Sequence, residues 1–299
     1  MSKAVLEAPQ AASLPGRTTA FRGQLSLPLT LLLIAPLALL LAWTFFLPIG
    51  RLLLTSVTQP TLNLHNYQRL ITEPLFLTVI LRTLWIALSC TVLALLLGYP
   101  VAALMARPGR FWPKLVAACV LVPLWTSALV RSYAWIALIG RRGIINTVLL
   151  DSGVIERPLS MLYTSGAVLV GMTHILLPFM VLPIYSALRS LPPDLPRAAA
   201  NLGAGQVRTF VTVVLPLSLP GVFAGSLLVF VMALGFYITP ALLGGPRTLM
   251  IATLISQQAT ELLDWPFAGA ISTVLLVMSI GTTIVFKRAL RLDRVIAHD

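Results

Sequence analysis

With 299 residues of which 58% are hydrophobic and only 10% charged, and a mean hydropathy of +0.94, the chain is far too apolar for a soluble domain, where about 25% of residues are charged. A net charge of +12 would point a soluble protein towards nucleic acid; here most basic residues sit in short loops between apolar runs, the positive-inside pattern of a polytopic membrane protein with affinity for anionic lipid. Cys90 and Cys119 fall inside apolar runs and give no disulfide framework, and His65, His174 and His298 have no ligand spacing, so no metal is expected.

Residues 1–26 form a polar, mildly basic tail with Lys3, Arg17 and Arg22. The Leu-rich run 27–48 that follows is longer than the roughly 7–15 residues of a signal-peptide core and has no small-x-small cleavage site after it. It is therefore read as a retained first span, 27–54, with the N-terminus cytoplasmic. A second span covers 77–106, and Pro100 within Gly98-Tyr99-Pro100 removes a backbone donor and predicts a kink. It ends in the basic turn Arg107-Pro108-Gly109-Arg110. The third span is expected at 115–139, with Pro123, Trp125, Arg131, Tyr133 and Trp135 in it. Residues 140–163 are too polar to span and suit short surface helices. The fourth span is expected at 165–188, the fifth at 217–242 and the sixth at 267–286, so that 77–286 is a five-helix core and 287–299 a second tail. The loops placed inside, 1–26, 107–114, 189–208 and 287–299, hold thirteen of the 21 Lys and Arg. That distribution puts both termini and the interval 191–221 in the cytoplasm.

The interval is polar and turn-rich between two apolar segments. Asp194 is placed to cap a short helix, Pro196 suits its first turn, Ala198, Ala199 and Ala200 favour it, and Gly203 can end it in the left-handed conformation. A second short helix from residue 206 carries Val207, Phe210, Val211 and Val214 towards Pro216. The pair forms a compact helix-turn-helix whose small residues allow another surface to come close.

This spacing resembles the cytoplasmic signature of the permease subunits of binding-protein-dependent ABC importers: Glu-Ala-Ala, three residues, Gly, nine residues, then Ile-x-Leu-Pro. Here Arg197-Ala198-Ala199, Gly203 and Val213-Val214-Leu215-Pro216 stand at those positions. Arg197 departs from the pattern, so a contact made by the usual Glu does not carry over, and Arg197 is expected to face solvent. Pro123-Leu124-Trp125-Thr126-Ser127, Val130-Arg131-Ser132-Tyr133-Ala134-Trp135, Gly143-Ile144-Ile145-Asn146, Gly98-Tyr99-Pro100 and Gly244-Gly245-Pro246 look like the spermidine/putrescine-type subfamily, specifically its first permease subunit. The resemblance runs from residue 27 to 292.

The resemblance implies an all-α membrane protein of six transmembrane helices, with the type I ABC importer permease fold and a cytoplasmic coupling helix in the loop 189–216. It implies a multi-pass protein of the bacterial inner membrane, a second permease subunit that is a different chain, a dimeric ABC ATPase on the cytoplasmic side and a periplasmic substrate-binding protein. The residues it assigns to ATPase coupling are Arg197, Ala198, Ala199, Asn201, Leu202, Gly203, Leu215 and Pro216. The cargo it implies is a polyamine such as spermidine or putrescine, with opines, amino acids or another small amine or carboxylate as the alternative. The chain has no phosphate-binding loop and no Gly-Lys pair, so no catalytic residue and no cofactor is expected in it; ATP and Mg belong to the partner ATPase.

The path itself is harder to read. None of the six spans has Asp or Glu in its interior, which leaves the aromatic faces of Trp125, Tyr133, Trp135, Phe236 and Tyr237 as candidates to meet a cation. Lipid-interface anchoring and core packing compete for each of them. Arg131 repels a polycation unless it is paired; Asp151, Glu156, Glu261 and Asp264 in the outer connections are available to pair with it, to contact the receptor or to attract cations, and Arg131 equally suits a cargo bearing a carboxylate. Thr173 and His174 are expected to hydrogen-bond between helices, and Gly221-x-x-x-Gly225 to mark close packing. A membrane enzyme would need a polar catalytic cluster, and no zinc-protease, serine-hydrolase or paired-carboxylate pattern occurs. An ion-coupled secondary transporter would need a buried acid or repeated halves, and neither is visible.

Overall fold

The computed structural model describes residues 27–58, 64–109 and 111–296. The 1–26 tail, Arg110 and His298 lie outside them. The chain falls into two compact units, residues 1–49 and 50–299.

The first unit holds α1 (Leu27–Leu41) and a widened π turn, Ala42–Phe46; α2 (Leu47–Thr58) follows without a break and from Gly50 on belongs to the second unit. The side chains of α1 are exposed and apolar on every side, Leu32 and Leu39 among them, as befits a helix surrounded by lipid. The 29 residues Thr30–Thr58 are long enough to cross a hydrocarbon core of about 30 Å.

The second unit contains α3 (His65–Thr72), α4 (Pro74–Ala106), α5 (Trp112–Leu121), a 3-10 turn at Val122–Trp125, α6 (Ala128–Ile139), α7 (Ile144–Asp151), α8 (Ser165–Arg189), α9 (Asp194–Asn201), α10 (Gln206–Thr209), a π turn at Phe210–Val214, α11 (Leu215–Leu234), a π turn at Pro240–Gly244, α12 (Ile251–Thr260) and α13 (Trp265–Ile296). No strand occurs among the described residues. Among the described residues, five helices are long and apolar enough to span a membrane, six if the bent α5–α6 segment counts as one span.

The core lies between α4, α8 and α11. On α8, Val168, Met172, Leu176, Met180 and Ile184 recur at every fourth position and are fully buried, a single stripe down one helix face. Small residues let the neighbours close in: a Cβ on Gly221 would stand 2.7 Å from the Pro183 carbonyl, one on Gly225 3.0 Å from the Met180 carbonyl, and one on Gly98 3.1 Å from Met180 Cγ. The close packing expected at Gly221 and Gly225 is therefore real, and α8 is its partner. Thr173 adds an interhelical hydrogen bond, its Oγ1 donating to Cys90 Sγ of α4 at 3.6 Å.

A second cluster joins Leu70 and Phe76 to Ile251, Leu254, Phe267 and Ile271. Arg69 staples it. Its guanidinium lies 4.2 Å from the Phe267 ring centre and bonds Glu73 at 3.0 Å and Asp264 at 3.4 Å. In the 140–163 connection, Asn146 Nδ2 donates to the carbonyls of Gly140 and Leu159 at 2.9 and 3.0 Å, while Oδ1 accepts from Leu159 N–H at 2.8 Å. Gly143-Ile144-Ile145-Asn146 thus folds the connection onto itself, with α7 beginning at Ile144.

Two spans differ from their sequence expectation. The third is broken: Trp112–Trp125 and Ala128–Asp151 meet at 106°. Pro123 has no N–H to offer the helix, Thr126 and Ser127 are extended, and Ser127 Oγ accepts from Leu129 N–H at 3.2 Å, so a new helix starts in a new direction. The fifth is displaced: instead of a short helix followed by a span at 217–242, one helix runs from Gln206 to Leu234. Leu215 N–H bonds the carbonyl of Phe210, five residues back, and this widened turn ends two residues before Pro216, whose ring would otherwise meet the preceding carbonyl. The turn Ala42–Phe46 stands in the same relation to Pro48. Phe236 and Tyr237, expected inside the fifth span, instead follow its end at Gly235.

Candidate coupling loop and translocation path

After Arg189 closes α8, Pro192 and Pro193 prevent it from continuing and α9 starts at Asp194. Asp194 is not the cap expected from the sequence. Pro193 holds that position, and Asp194 occupies the first turn, where a carboxylate suits the helix dipole. It pairs with Arg197 at 3.3 Å, and both side chains are open to solvent, 85% and 75% exposed. Gly203 has φ +83°, the left-handed conformation that ends helices, and α9's last carbonyls are satisfied around it: Gly203 N–H bonds Ala200 O at 2.9 Å and Ala204 N–H bonds Ala199 O at 3.0 Å. Ala198 and Asn201 are exposed, and Ala199 is half-buried. Leu202, 88% exposed, and Val207 form apolar knobs beside them. Leu215 and Pro216 lie apart from α9, at the start of α11.

Sequence reasoning missed what ties this loop to the membrane. The rings of Tyr99 on α4 and Phe210 in the π turn meet edge to face at 5.6 Å, and the Tyr99 hydroxyl is 2.8 Å from Ser218 Oγ on α11. The base of the candidate coupling loop is thereby fixed to α4. The Gly98-Tyr99-Pro100 motif contained the residue, but nothing in its spacing indicated a partner 111 residues away.

The candidate path residues separate into groups. Trp135 donates Nε1–H to His174 Nδ1 at 3.2 Å, with ring centres 5.9 Å apart, so α6 and α8 bring these two together and His174 makes the interhelical bond expected of it. Trp125 and Tyr133 are exposed on the bent segment; Phe236 packs against the core. Tyr237 lines a cavity of about 350 Å³ together with Pro240, Ser256, Gln257 and Glu261. The structure thus adds Glu261 to Tyr237, an aromatic face and a carboxylate in one cavity. Asp264, in contrast, is committed to Arg69. Arg131 reaches only the Ile175 carbonyl, at 3.4 Å, and its Nε is buried with no partner among the described residues. Those residues contain no cluster of three metal-ligating side chains.

Residues 94–291 match the family described as binding-protein-dependent transport system inner membrane component. The chain belongs to this family. Among relatives of this inner-membrane permease, the spermidine/putrescine transport system permease protein PotB of Escherichia coli (strain K12) is 39% identical over 79% of this chain and 86% of its own length. PotB of Haemophilus influenzae (strain ATCC 51907 / DSM 11121 / KW20 / Rd) is 35% identical over 85% of this chain and 93% of its own. Among solved structures, a bacterial ABC transporter that imports the acidic polysaccharide alginate aligns with TM-score 0.68 at 19% identity, over 87% of this chain and 95% of that chain. The MetNI methionine ABC transporter aligns with TM-score 0.55 at 17% identity, over 74% and 99%. At these identities the structures establish the fold alone: the permease has the ABC importer permease architecture.

Proposed function

We propose that this permease forms half of the translocation path of an ATP-driven importer of polyamines, spermidine and putrescine or close amine relatives. The observation that carries the cargo is the 39% identity to a spermidine/putrescine permease along most of both chains. The cavity shared by Tyr237 and Glu261 supports it, because an aromatic face and a carboxylate are the two groups that hold an ammonium best. A second permease chain completes the path, a periplasmic binding protein delivers cargo, and a dimeric ABC ATPase docks on α9 from the cytoplasm, where both termini also lie. ATP and Mg are held by that ATPase.

Coupling follows from rigidity. Ala198, Ala199 and Gly203 let a groove on the ATPase approach the backbone of α9, and Leu202 and Val207 give it apolar surface to grip. When the ATPase dimer closes, α9 moves with it, and the contacts of Tyr99 with Phe210 and Ser218 carry the displacement into α4 and α11. The test is reconstitution of the full complex in proteoliposomes with its binding protein. Spermidine or putrescine uptake that requires ATP and the binding protein is expected. A binding protein that shifts in thermal unfolding with opines or amino acids, but with no polyamine, overturns the cargo.

A further inference from the structure

Arg131 poses an electrostatic problem that this chain does not solve. It sits in the first turn of α6, beside the break in the third span. Its Nη1 donates to the carbonyl of Ile175, ten residues into α8, which is about 15 Å along that helix and so far from either headgroup layer. A guanidinium carries five N–H donors and a charge that proteins do not remove. Here one donor meets a carbonyl at 3.4 Å, and Nε is buried with nothing to bond. The neighbouring groups do not help. His174, one residue before Ile175, takes its hydrogen bond from Trp135, and Ser132 bonds Thr239 at 3.0 Å. The start of α6 adds further positive potential. The spans Thr30–Thr58, Pro74–Ala106, Ser165–Arg189, Gln206–Leu234 and Trp265–Arg288 contain no Asp or Glu, the bent third span carries one only at its last residue, Asp151, twenty residues beyond Arg131, and the carboxylate of Asp264 is already bonded to Arg69.

We infer that Arg131 pairs with a carboxylate of the second permease subunit, at membrane depth, across the interface where the two subunits enclose the path. A permanent cation that is part-buried, with its Nε shut off from solvent and unbonded, calls for a permanent counter-charge; cargo that comes and goes is not one, and a polyamine is itself cationic. Arg131 lies at the edge of the packed face of α6, next to Leu129, Val130 and Tyr133, which are exposed, so a second chain can reach it. A second copy of this chain is a poor partner, because it brings another Arg131 and its acids lie in the tails, the connections and the far end of the bent span rather than within the helices that face the path. The counter-charge is therefore expected on the second permease subunit as a chain different from this one. The inference rests on the reading of this chain as one of two permease subunits, and it is independent of which amine is carried.

Charge exchange in the co-expressed complex tests it, with complex yield and ATP-dependent uptake as readouts. Arg131→Glu is expected to lower the yield of the two-permease complex on the order of 100-fold. Each Asp or Glu within a span of the second permease chain is then changed to Arg in the Arg131→Glu background, and one of these exchanges is expected to restore assembly. Arg131→Gln guards against simple misfolding: it too is expected to weaken assembly, and neutralising the same partner carboxylate to its amide is expected to recover it. The pairing is overturned if no exchange or neutralisation restores assembly, or if Arg131→Gln assembles and transports as the unaltered complex does. Unaltered chain that purifies with no second permease would instead refute the two-subunit reading on which the inference stands.

Discussion

The coupling loop and the bent third span are opposites in how they are held. In the loop the features that shape α9 are local: Asp194 pairs with Arg197 three residues on, and the carbonyls around Gly203 are satisfied within α9 and the turn; only the base of the loop, through Phe210 and Tyr99, is held by a distant helix. Its side chains stand in the open with nothing yet to touch. In the bend the decisive contacts are distant: Arg131 meets Ile175, Trp135 meets His174, Ser132 meets Thr239. The loop has its shape set by its own residues, whereas the bend has its backbone set and one side-chain atom, Arg131 Nε, left without a partner among the described residues. A docking element must keep its shape before the partner arrives; a path can be completed by assembly.

The largest effect that separates these two designs is expected at Gly203. A Cβ there meets nothing within 4 Å, so the residue is constrained by its φ of +83° alone. Asn tolerates that conformation and Val does not. Gly203→Asn should transport nearly as the unaltered protein does, while Gly203→Val should lose the end of α9 and with it transport. Gly203→Asp tolerates the backbone but brings a charge to the docking face, and burying it unpaired should cut transport and receptor-stimulated ATP hydrolysis on the order of 100-fold while the protein still inserts. Full transport by Gly203→Asp would remove the docking role and leave only a helix end.

Gly225 is the same residue type under the opposite constraint. Its φ is ordinary helix, but the Met180 carbonyl and sulfur leave no room for a side chain. Gly225→Leu should destabilise the α8–α11 contact by about 1–3 kcal/mol, read as a lower unfolding temperature of the purified complex in detergent. An unchanged unfolding temperature would mean that α8 and α11 do not pack along this face.

What could be read from the sequence follows the same division. Helix α8 ends within a residue of its expected limits and α9 is almost where its signals put it, because caps, prolines and glycines act on their immediate neighbours. The break at residues 122–127 was not legible. Pro100 and Pro123 look alike in sequence, yet α4 runs through Pro100 and the third span turns by 106° after Pro123. The difference lies in Thr126 and Ser127, which start a new helix, and in the contact of Ser132 with Thr239 that holds it there. Pro216 misled in the other direction, because a π turn absorbs its ring and one helix continues where two were expected. The presence of Tyr237 and Glu261 in one cavity and the bond of Asp264 to Arg69 needed the fold, since neither is fixed by helical spacing.

Smaller effects test the joints within each region. Ser127→Ala removes the cap that starts α6 and should cost about 1 kcal/mol, with the loss of stability seen in detergent unfolding. Arg197→Ala should change stability least. An exposed pair three residues apart on a helix contributes about 0.2–0.5 kcal/mol, and Arg197 and Asp194 are among the most open side chains of the loop. Arg197→Glu, which installs the residue usual in the family signature, sets two carboxylates in the first turn of α9; their repulsion opposes the favourable helix dipole, and the net change in stability should again be small. Because neither variant disturbs the fold, transport reports directly on what the ATPase presents to residue 197. Transport by both within about twofold of the unaltered complex is expected of a residue that faces solvent beside the groove. If Arg197→Glu alone abolishes coupling, the groove carries an acidic group opposite residue 197, and the ATPase has changed its charge to match this departure from the pattern.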